Sequence, residues 1–427
     1  MKDTVHVPVV VVGAGHSGLA ASYWLREKNI THVLLECGVV GESWHAERWD
    51  SLRLLTPNWQ NGLPGFPYKG AHPDGFMDVS EFVDFVRDYA KFIQAPVCEH
   101  TEVLRIRKSN DSYLTETTKG KFQSQAVILA SGACKLANVP TFSDGIPEDV
   151  FQVHSLEYKN PDQLPEGRVL VVGASATGLQ LSDEIHLTGR PVTLSVGEHV
   201  RMPRTYRNRD IQWWMNVTGL LDDTIDAVDD LVRARNIPSP QLIGTTDLST
   251  IDLNCLTDRG VELVGRIAAI QERDGTTIAQ FSGSLGNVCR LADLKLNRLL
   301  KSFDEWADLQ STLEVGDPQV FESTAVPEKP ELDKNLGGKE GIKSVVWATG
   351  YKPDFQFLKL PVFDRKQRLN HEGGVVIGVS GMYVLGLTFL RRRKSSFIHG
   401  AEEDARELVE HLESFIRDSR LITDSTC

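Results

Sequence analysis

Four consecutive valines, residues 9–12, run directly into the glycine-rich sequence GAGHSG at 13–18. In a strand–turn–helix unit, the first glycine of such a motif makes the tight turn and the second lets the backbone approach a pyrophosphate. The third lets the helix pack closely on the strand. We assign these roles to Gly13, Gly15 and Gly18, and we expect Ser17 to lie in the same phosphate-binding turn. The start of the chain therefore predicts a dinucleotide-binding unit.

A second predicted strand, residues 32–35, ends at Glu36, which is 23 residues beyond Gly13. At this place in a dinucleotide-binding unit, a carboxylate accepts a hydrogen bond from a ribose 2′-hydroxyl. The first site is therefore predicted to hold an unphosphorylated ribose, as in the adenosine half of FAD. The alternative is a βαβ unit without a ligand.

The glycine motif returns about 160 residues later, where an apolar run at 168–172 leads into GASATG at 173–178. Two such units in one chain predict an α/β fold with two Rossmann-like dinucleotide-binding domains, the second inserted in the first. We expect the first, FAD-binding domain to comprise residues 1–160 and 341–427, and the second residues 161–340. A mixed α/β insertion is expected within the second domain at about 210–300.

The second unit has Ser195, and no carboxylate, 22 residues beyond Gly173, close to the place that Glu36 takes in the first unit. A small hydroxyl followed by guanidinium groups suits a 2′-phosphate, because arginine pairs with phosphate oxygens in a bidentate geometry. We therefore predict NADPH in this site, with a ribose phosphate pocket formed by Ser195, His199, Arg201 and Arg204. Glu198 argues against this assignment, and the alternative is that the two arginines are ordinary surface charges.

The turn of the second motif differs from the first at its middle position, where Ser175 replaces glycine. A serine is tolerated there if its φ angle is negative, but it implies a looser contact with the pyrophosphate or weaker NADPH binding. The cofactor-binding residues predicted in this turn are Gly173, Ser175, Ala176, Thr177 and Gly178.

Charge and composition exclude several other classes of function. The 427 residues carry a formal net charge of −12 without an extended basic stripe, so we do not expect nucleic acid or an anionic membrane surface as a partner. The apolar run near the N-terminus is too short for a secretory signal, and no segment approaches a membrane span, which predicts a cytoplasmic protein. The cationic cluster at 391–394 is expected to border an anionic cofactor or to lie in a solvated loop.

The cysteines are scattered without a C-x-x-C pair or metal-ligand spacing, which predicts reduced thiols and no metal site. They are Cys37, Cys98, Cys134, Cys255, Cys289 and Cys427.

Four motifs together resemble the class B flavin monooxygenases, relatives of the N- and S-oxidising flavin-containing enzymes and of the Baeyer–Villiger enzymes. The motifs are GAGHSG at 13–18, ASG at 130–132, GASATG at 173–178 and ATGY at 348–351. The fingerprint of that family appears in shortened form at 151–159, without its glycine. Tyr158 stands where Baeyer–Villiger enzymes usually have tryptophan, which makes the chain more similar to the N/S-oxidising and auxin-forming branches.

The resemblance implies an activity that uses both cofactors. FAD reduced by NADPH would trap O2 as a C4a-(hydro)peroxyflavin, and one oxygen atom would pass to a small organic substrate at nitrogen, sulfur or a carbonyl group. Members of the family are commonly dimers, so a homodimer is also implied.

The resemblance further implies which residues lie beside the flavin. Members of the family place an asparagine there shortly after a segment like RLLTP at 53–57, so Asn58 and the nearby Thr56 are the candidate catalytic residues. The alternative for Asn58 is that it stabilises the turn after Pro57. Further FAD contacts are expected from Trp44, Val103, Ala130 and Gly132, while Thr349 and Gly350 are expected in a hinge turn near the nicotinamide nucleotide.

Two histidines and three other functions complete the predictions. His154 is expected to couple the two domains, and His399 either approaches the flavin or caps its loop. A flavin disulfide reductase needs a pair of redox-active thiols, which the scattered cysteines do not supply. An NADPH oxidase that releases hydrogen peroxide and a non-catalytic FAD-binding protein remain as alternatives.

Overall fold

The computed structural model describes residues 4–424, so Cys427 lies outside the described residues, as do residues 1–3 of the predicted first domain. The helices are α1 (His16–Glu27), α2 (Glu42–Ala46), α3 (Val79–Phe92), α4 (Ala176–Leu187), α5 (Ile211–Val217), α6 (Leu231–Arg235), α7 (Leu253–Arg259), α8 (Leu285–Asp308) and α9 (Ala401–Asp424).

The strands up to the second glycine motif are β1 (Thr4–His6), β2 (Val9–Val12), β3 (His32–Leu35), β4 (Val97–Cys98), β5 (Val103–Ser109), β6 (Ser112–Thr117), β7 (Gly120–Ser124), β8 (Ala126–Leu129), β9 (Leu136–Ala137), β10 (Phe151–His154) and β11 (Arg168–Val172). The remaining strands are β12 (Val192–Val196), β13 (Thr205–Tyr206), β14 (Arg209–Asp210), β15 (Glu262–Gly265), β16 (Ile267–Arg273), β17 (Thr276–Phe281), β18 (Asp333–Asn335), β19 (Ile342–Trp347), β20 (Tyr351–Lys352), β21 (His371–Glu372), β22 (Val375–Val376) and β23 (Met382–Val384).

The first unit is built on a seven-stranded sheet in the order β21-β22-β23-β8-β2-β3-β4. The valine strand β2 lies inside it and pairs in parallel with β3 on one side and β8 on the other. All four valines are buried, as a strand covered on both faces requires. Helix α1 packs against β2 and against α9, and a smaller sheet, β1-β7-β6-β5, belongs to the same unit. This unit confirms the predicted α/β fold.

The second unit is a five-stranded parallel sheet in the order β10-β19-β11-β12-β15. Strand β19 pairs with β10 and with β11, so it belongs to this second sheet, although we expected residues from 341 onward in the first domain. Strand β10, expected before the domain boundary at 160, also lies here. The chain therefore crosses between the sheets near 150 and 350, since these strand pairings hold both segments in the second unit.

The segment expected as an insertion at about 210–300 is divided between two environments. Strand β15 within it pairs with β12 and so forms the edge of the parallel sheet. Strands β16, β17 and β18 form a separate antiparallel sheet. Helix α8 buries a stripe that includes Leu296 and Phe303 against Trp214 and its neighbours. The expected mixed α/β character is present, but part of it completes the second dinucleotide fold.

In both units, the backbone of a neighbouring segment lies directly against the first glycine of the turn. A Cβ atom on Gly13 would collide with the carbonyl oxygen of Ala130, and one on Gly173 would collide with the carbonyl oxygen of Ala348. Both glycines have positive φ, +105° and +109°. The segments ASG and ATG therefore occupy equivalent positions in the two units, each crossing directly behind a glycine turn.

None of the helices in residues 4–424 combines the length and apolar character that spanning a bilayer requires.

Candidate functional site

The first glycine turn presents the N-terminus of α1 at the carboxyl end of β2. Gly15 has φ −79°, and a Cβ atom placed on it would meet nothing within 4 Å, so the turn is open on that side. Within the described chain, Ser17 Oγ and His16 Nε2 are buried without a hydrogen-bond partner. Burial lowers the pKa of His16 to about 4, which keeps the imidazole neutral. An open turn with unpartnered polar atoms fits the phosphates of a dinucleotide.

Glu36 closes the adjacent edge of this turn. Its carboxylate is buried and accepts hydrogen bonds from the backbone N–H of Ala14, at 2.7 Å, and from that of Gly38, at 3.2 Å. The backbone N–H of Thr101 donates to the carbonyl oxygen of Glu36, which brings the chain leading to Val103 beside the end of β3. Glu36 thus lies beside the glycine turn at the end of β3, and its contact with a ribose stays a prediction.

Three further positions border the first glycine turn. Gly132 has φ +84° and open space around it, and Ser131 Oγ is buried with no hydrogen-bond partner among residues 4–424. Gly386, which follows β23, has φ +75°, and a Cβ atom there would lie 2.7 Å from Ser17 Oγ. We did not predict Gly386 as a site residue. Its signal in the sequence is a glycine directly after a short apolar strand.

The side chain of Asn58 is held by two backbone groups. Its Nδ2 donates to the carbonyl oxygen of His72 at 3.0 Å, and its Oδ1 accepts from the backbone N–H of Met77 at 2.8 Å. The hydroxyl of Thr56 donates to Oδ1 of Asn61 at 2.6 Å. These buried contacts give both residues a role in shaping the loop, which agrees with the turn-stabilising alternative for Asn58.

Trp44 lies half-buried on α2, at the edge of the first core. Its ring packs against Phe82 with a centroid distance of 4.6 Å, and the guanidinium group of Arg48 lies 5.2 Å from the ring centroid. These contacts fix the indole against α3.

A cleft of about 580 Å³, bordered by Arg53 and Asn58, opens between residues 68–76 and 245–248.

The second glycine turn repeats the first. Ser175 precedes α4 with φ −86° and ψ −172°, close to the −79° and −176° of Gly15. The negative φ that a serine needs at this place is therefore present. Gly178 is required because a Cβ atom there would collide with the carbonyl oxygen of Gly173. Ala176 and Thr177 form the first turn of α4.

Groups from outside the motif surround this second turn. Gln241 Nε2 donates to the carbonyl oxygen of Ala174 at 2.7 Å. In the part of the chain that the structure describes, Gln241 Oε1 and Thr349 Oγ1 are buried without partners. Gly350 has φ +87° and open space, and its carbonyl oxygen lies 3.1 Å from Nε2 of His154. These atoms fit a second dinucleotide, and Gln241 was not predicted from the sequence.

The residues predicted to bind a ribose phosphate are used inside the protein instead. Ser195 Oγ donates to the carbonyl oxygen of Gly265 at 3.0 Å and accepts from the backbone N–H of Ile267 at 2.9 Å. His199 is buried with Nδ1 2.9 Å from the carbonyl oxygen of Gly197, and burial lowers its pKa. These contacts join the end of β12 to its neighbours and use the hydroxyl of Ser195 both as donor and as acceptor, whereas His199 Nε2 is buried without a partner among the described residues.

Both predicted arginines are also committed to internal ion pairs. Arg201 is 6% exposed and contacts Asp252 at 2.8 Å and Asp293 at 2.7 Å. Arg204 is 1% exposed and contacts Asp210 at 2.5 Å. Their positions after β12 led us to expect phosphate ligands. The carboxylates that pair with Arg201 come from segments 51 and 92 residues away, whereas Asp210, which pairs with Arg204, is only six residues away. The surface-charge alternative is equally wrong, because both guanidinium groups are buried.

The cationic cluster at 391–394 is likewise paired. Arg392 contacts Asp404 and Glu407 on α9, while Arg393 contacts Asp223 at 2.9 Å. The cluster therefore joins α9 to the 220–223 segment through ion pairs within the protein.

His399, just before α9, has both ring nitrogens buried without a partner in the described chain.

Comparisons with known proteins agree with this architecture. A family model described as pyridine nucleotide-disulphide oxidoreductase matches residues 10–216. An uncharacterized CzcO-like oxidoreductase of Geobacillus kaustophilus is 30% identical over 407 residues, which cover 94% of this chain and 97% of the relative. An indole-3-pyruvate monooxygenase of Arabidopsis thaliana is 24% identical over 94% of this chain and 89% of its own length. The solved structure of a flavin-containing monooxygenase from Stenotrophomonas maltophilia superposes with a TM-score of 0.66 at 19% identity, covering 96% of this chain and 99% of that one.

Proposed function

Because this chain belongs to the class B flavin-dependent monooxygenase family, we propose that it binds FAD in its first unit and NADPH in its second. We further propose that it inserts one oxygen atom of O2 into a small organic substrate. The observation that carries the proposal is the pair of equivalently built glycine turns, each backed by a small-residue segment and each bordered by unpartnered polar atoms.

The residues of the first turn have separate roles in holding FAD. The backbone N–H groups at the start of α1 would face the pyrophosphate, as the open space beside Gly15 allows. The carboxylate of Glu36 would accept a hydrogen bond from the ribose, while Ser17 Oγ would gain a polar partner that none of residues 4–424 provides. When bound and reduced, FAD supplies the electron transfer and O2 activation that no amino-acid side chain provides.

The second turn would hold NADPH through the start of α4. Thr349 Oγ1 and Gln241 Oε1 are the buried polar atoms available to it. His154 ties the strand end of β10 to Gly350, just beyond β19, so it would hold together the two segments that lead from the second sheet towards the first unit. The cleft beside residues 68–76 and 245–248 is the proposed entry for a small substrate.

A peroxide-releasing NADPH oxidase is separated from a monooxygenase by its products. NADPH and O2 consumption would be followed over amines, sulfides, ketones and indoles, with hydrogen peroxide measured in every reaction. We expect a yellow protein with bound FAD, and at least one substrate that incorporates an atom of ¹⁸O2 in proportion to NADPH used. Peroxide equal to NADPH consumed in every reaction would support the oxidase, and a colourless protein that takes up no FAD would overturn the whole proposal.

A further inference from the structure

Both arginines that the sequence predicted as phosphate ligands in the loop after β12 are paired with carboxylates of the described chain. In a Rossmann unit, the group that meets the ribose 2′ position lies at the carboxyl end of the second strand, here β12. Ser195 and the two arginines that follow it are held by internal partners. A 2′-phosphate would therefore need a cation from another element that reaches the same edge.

The neighbouring strand supplies such a cation. Strand β15 pairs in parallel with β12, with Val196 opposite Gly265, so both strands end at the same edge of the sheet. Arg266 follows Gly265 directly. Its Cβ, Cγ and Cδ atoms lie 3.7–4.0 Å from the position of a Cβ atom built on Gly197, so its side chain runs across the residue that follows β12.

The charge state of this edge also favours an incoming anion. Arg266 is exposed, and its guanidinium group makes no hydrogen bond or ion pair with any residue of the described range 4–424. Glu198, the acid that argued against a 2′-phosphate, contacts the ammonium group of Lys295 at 3.1 Å. The repelling carboxylate is thus paired with a cation, while the guanidinium group of Arg266, whose side chain crosses the neighbouring Gly197, remains available for bidentate pairing.

We propose that Arg266 binds the 2′-phosphate of NADPH and sets the preference for the phosphorylated nicotinamide nucleotide. This inference rests on the proposed function, since it takes the second turn as the NADPH site. The group that would recognise the phosphate directly follows β15, whereas the sequence had predicted residues in the loop after β12. That origin explains why spacing from the glycine motif did not reveal it.

The test uses the FAD-loaded protein and two fragments of the adenosine half, adenosine 2′,5′-bisphosphate and 5′-AMP. Calorimetric titration would compare wild type with Arg266→Ala and Arg266→Lys. The control is Arg298→Ala, which removes an exposed arginine from α8. We expect Arg266→Ala to weaken bisphosphate binding about tenfold or more, because a hydrogen bond to a charged group is lost, and to leave 5′-AMP binding unchanged. Arg266→Lys should retain part of the affinity.

Several outcomes would overturn the inference. They are unchanged bisphosphate affinity in Arg266→Ala, an equal loss of affinity for 5′-AMP, and failure of the wild type to bind the bisphosphate. A wild type that binds the bisphosphate through Arg266 but never oxidises NADPH would instead reject the proposed function and leave this inference standing.

Discussion

The guanidinium group of Arg204, in the second unit, donates a hydrogen bond of 2.8 Å to the carbonyl oxygen of Leu55 in the first. The same group contacts Asp210 and lies 4.8 Å from the ring centroid of Phe76. Leu55 directly precedes Thr56, so the loop that contains both catalytic candidates is fixed by a buried cation from the other unit. This contact couples the geometry of the two nucleotide-binding units.

We expect Arg204→Met to destabilise the protein on the order of 3 kcal/mol, because it leaves the carboxylate of Asp210 buried without its partner. The proposed preference for NADPH over NADH should stay unchanged, since the guanidinium group of Arg204 is held by Leu55 and Asp210. Chemical denaturation and the ratio of kcat/KM values measure these two effects. Arg273→Met, which breaks an exposed ion pair with Asp333, should cost under about 1 kcal/mol. A changed nucleotide preference in Arg204→Met would restore the original role predicted for this arginine.

Replacement of Glu36 by glutamine should weaken FAD binding about tenfold or more. The substitution removes the negative charge that accepts the Ala14 and Gly38 N–H groups and that would accept the ribose hydroxyl. Fluorescence titration of the flavin-free protein with FAD gives the dissociation constant. Glu116→Gln on β6 is the matched control for loss of one charge. Equal FAD affinity in Glu36→Gln and wild type would contradict the assigned ribose contact.

Asn58→Ala should lower the melting temperature, because it leaves the Met77 N–H and the His72 carbonyl without their buried partner, at a cost of about 1–3 kcal/mol. Asn58→Asp keeps an acceptor for Met77 but places an ionised carboxylate in a buried site where the amide nitrogen now lies 3.0 Å from the His72 carbonyl oxygen, so its effect should be at least as large. Hydrogen exchange at residues 72–77 should rise in both variants, whereas Asn297→Ala on the exposed side of α8 should change nothing. An Asn58→Ala protein with wild-type stability and lost oxygenation would instead indicate a catalytic role.

Acid should destabilise the protein partly through His399. Burial, aided by the Lys394 ammonium group and opposed by Asp222, lowers the pKa of His399 from 6.5 to about 4. Between these values the unfolded chain binds more protons than the folded protein, so stability falls as the pH is lowered through this window. We expect His399→Gln to lose less stability than wild type between about pH 7 and about pH 4.5. Melting curves across this range, with the exposed His45→Gln as control, would contradict the expectation if all three proteins lost stability equally.

The first glycine turn shows which parts of the site the local sequence can predict. Gly13, Gly18 and Glu36 lie within one βαβ unit, so the spacing of a strand, a turn and a helix predicts their relative placement. The same reasoning predicted the second turn, where the structure gives Ser175 the negative φ that a serine needs there. These features depend on backbone geometry over short stretches of chain.

Tertiary structure alone decided which side chains remain free to bind a ligand. Arg201 is neutralised by Asp252 and Asp293, residues 51 and 92 positions away, and no local pattern shows that those carboxylates fold back onto it. The segment ATG after β19 resembles the segment ASG after β8, yet β19 pairs with β11 and therefore belongs to the second sheet. The sequence determined that this protein has two dinucleotide turns and where they lie, because turns are local. The distribution of charges around them follows from contacts between distant segments, which only the folded chain brings together.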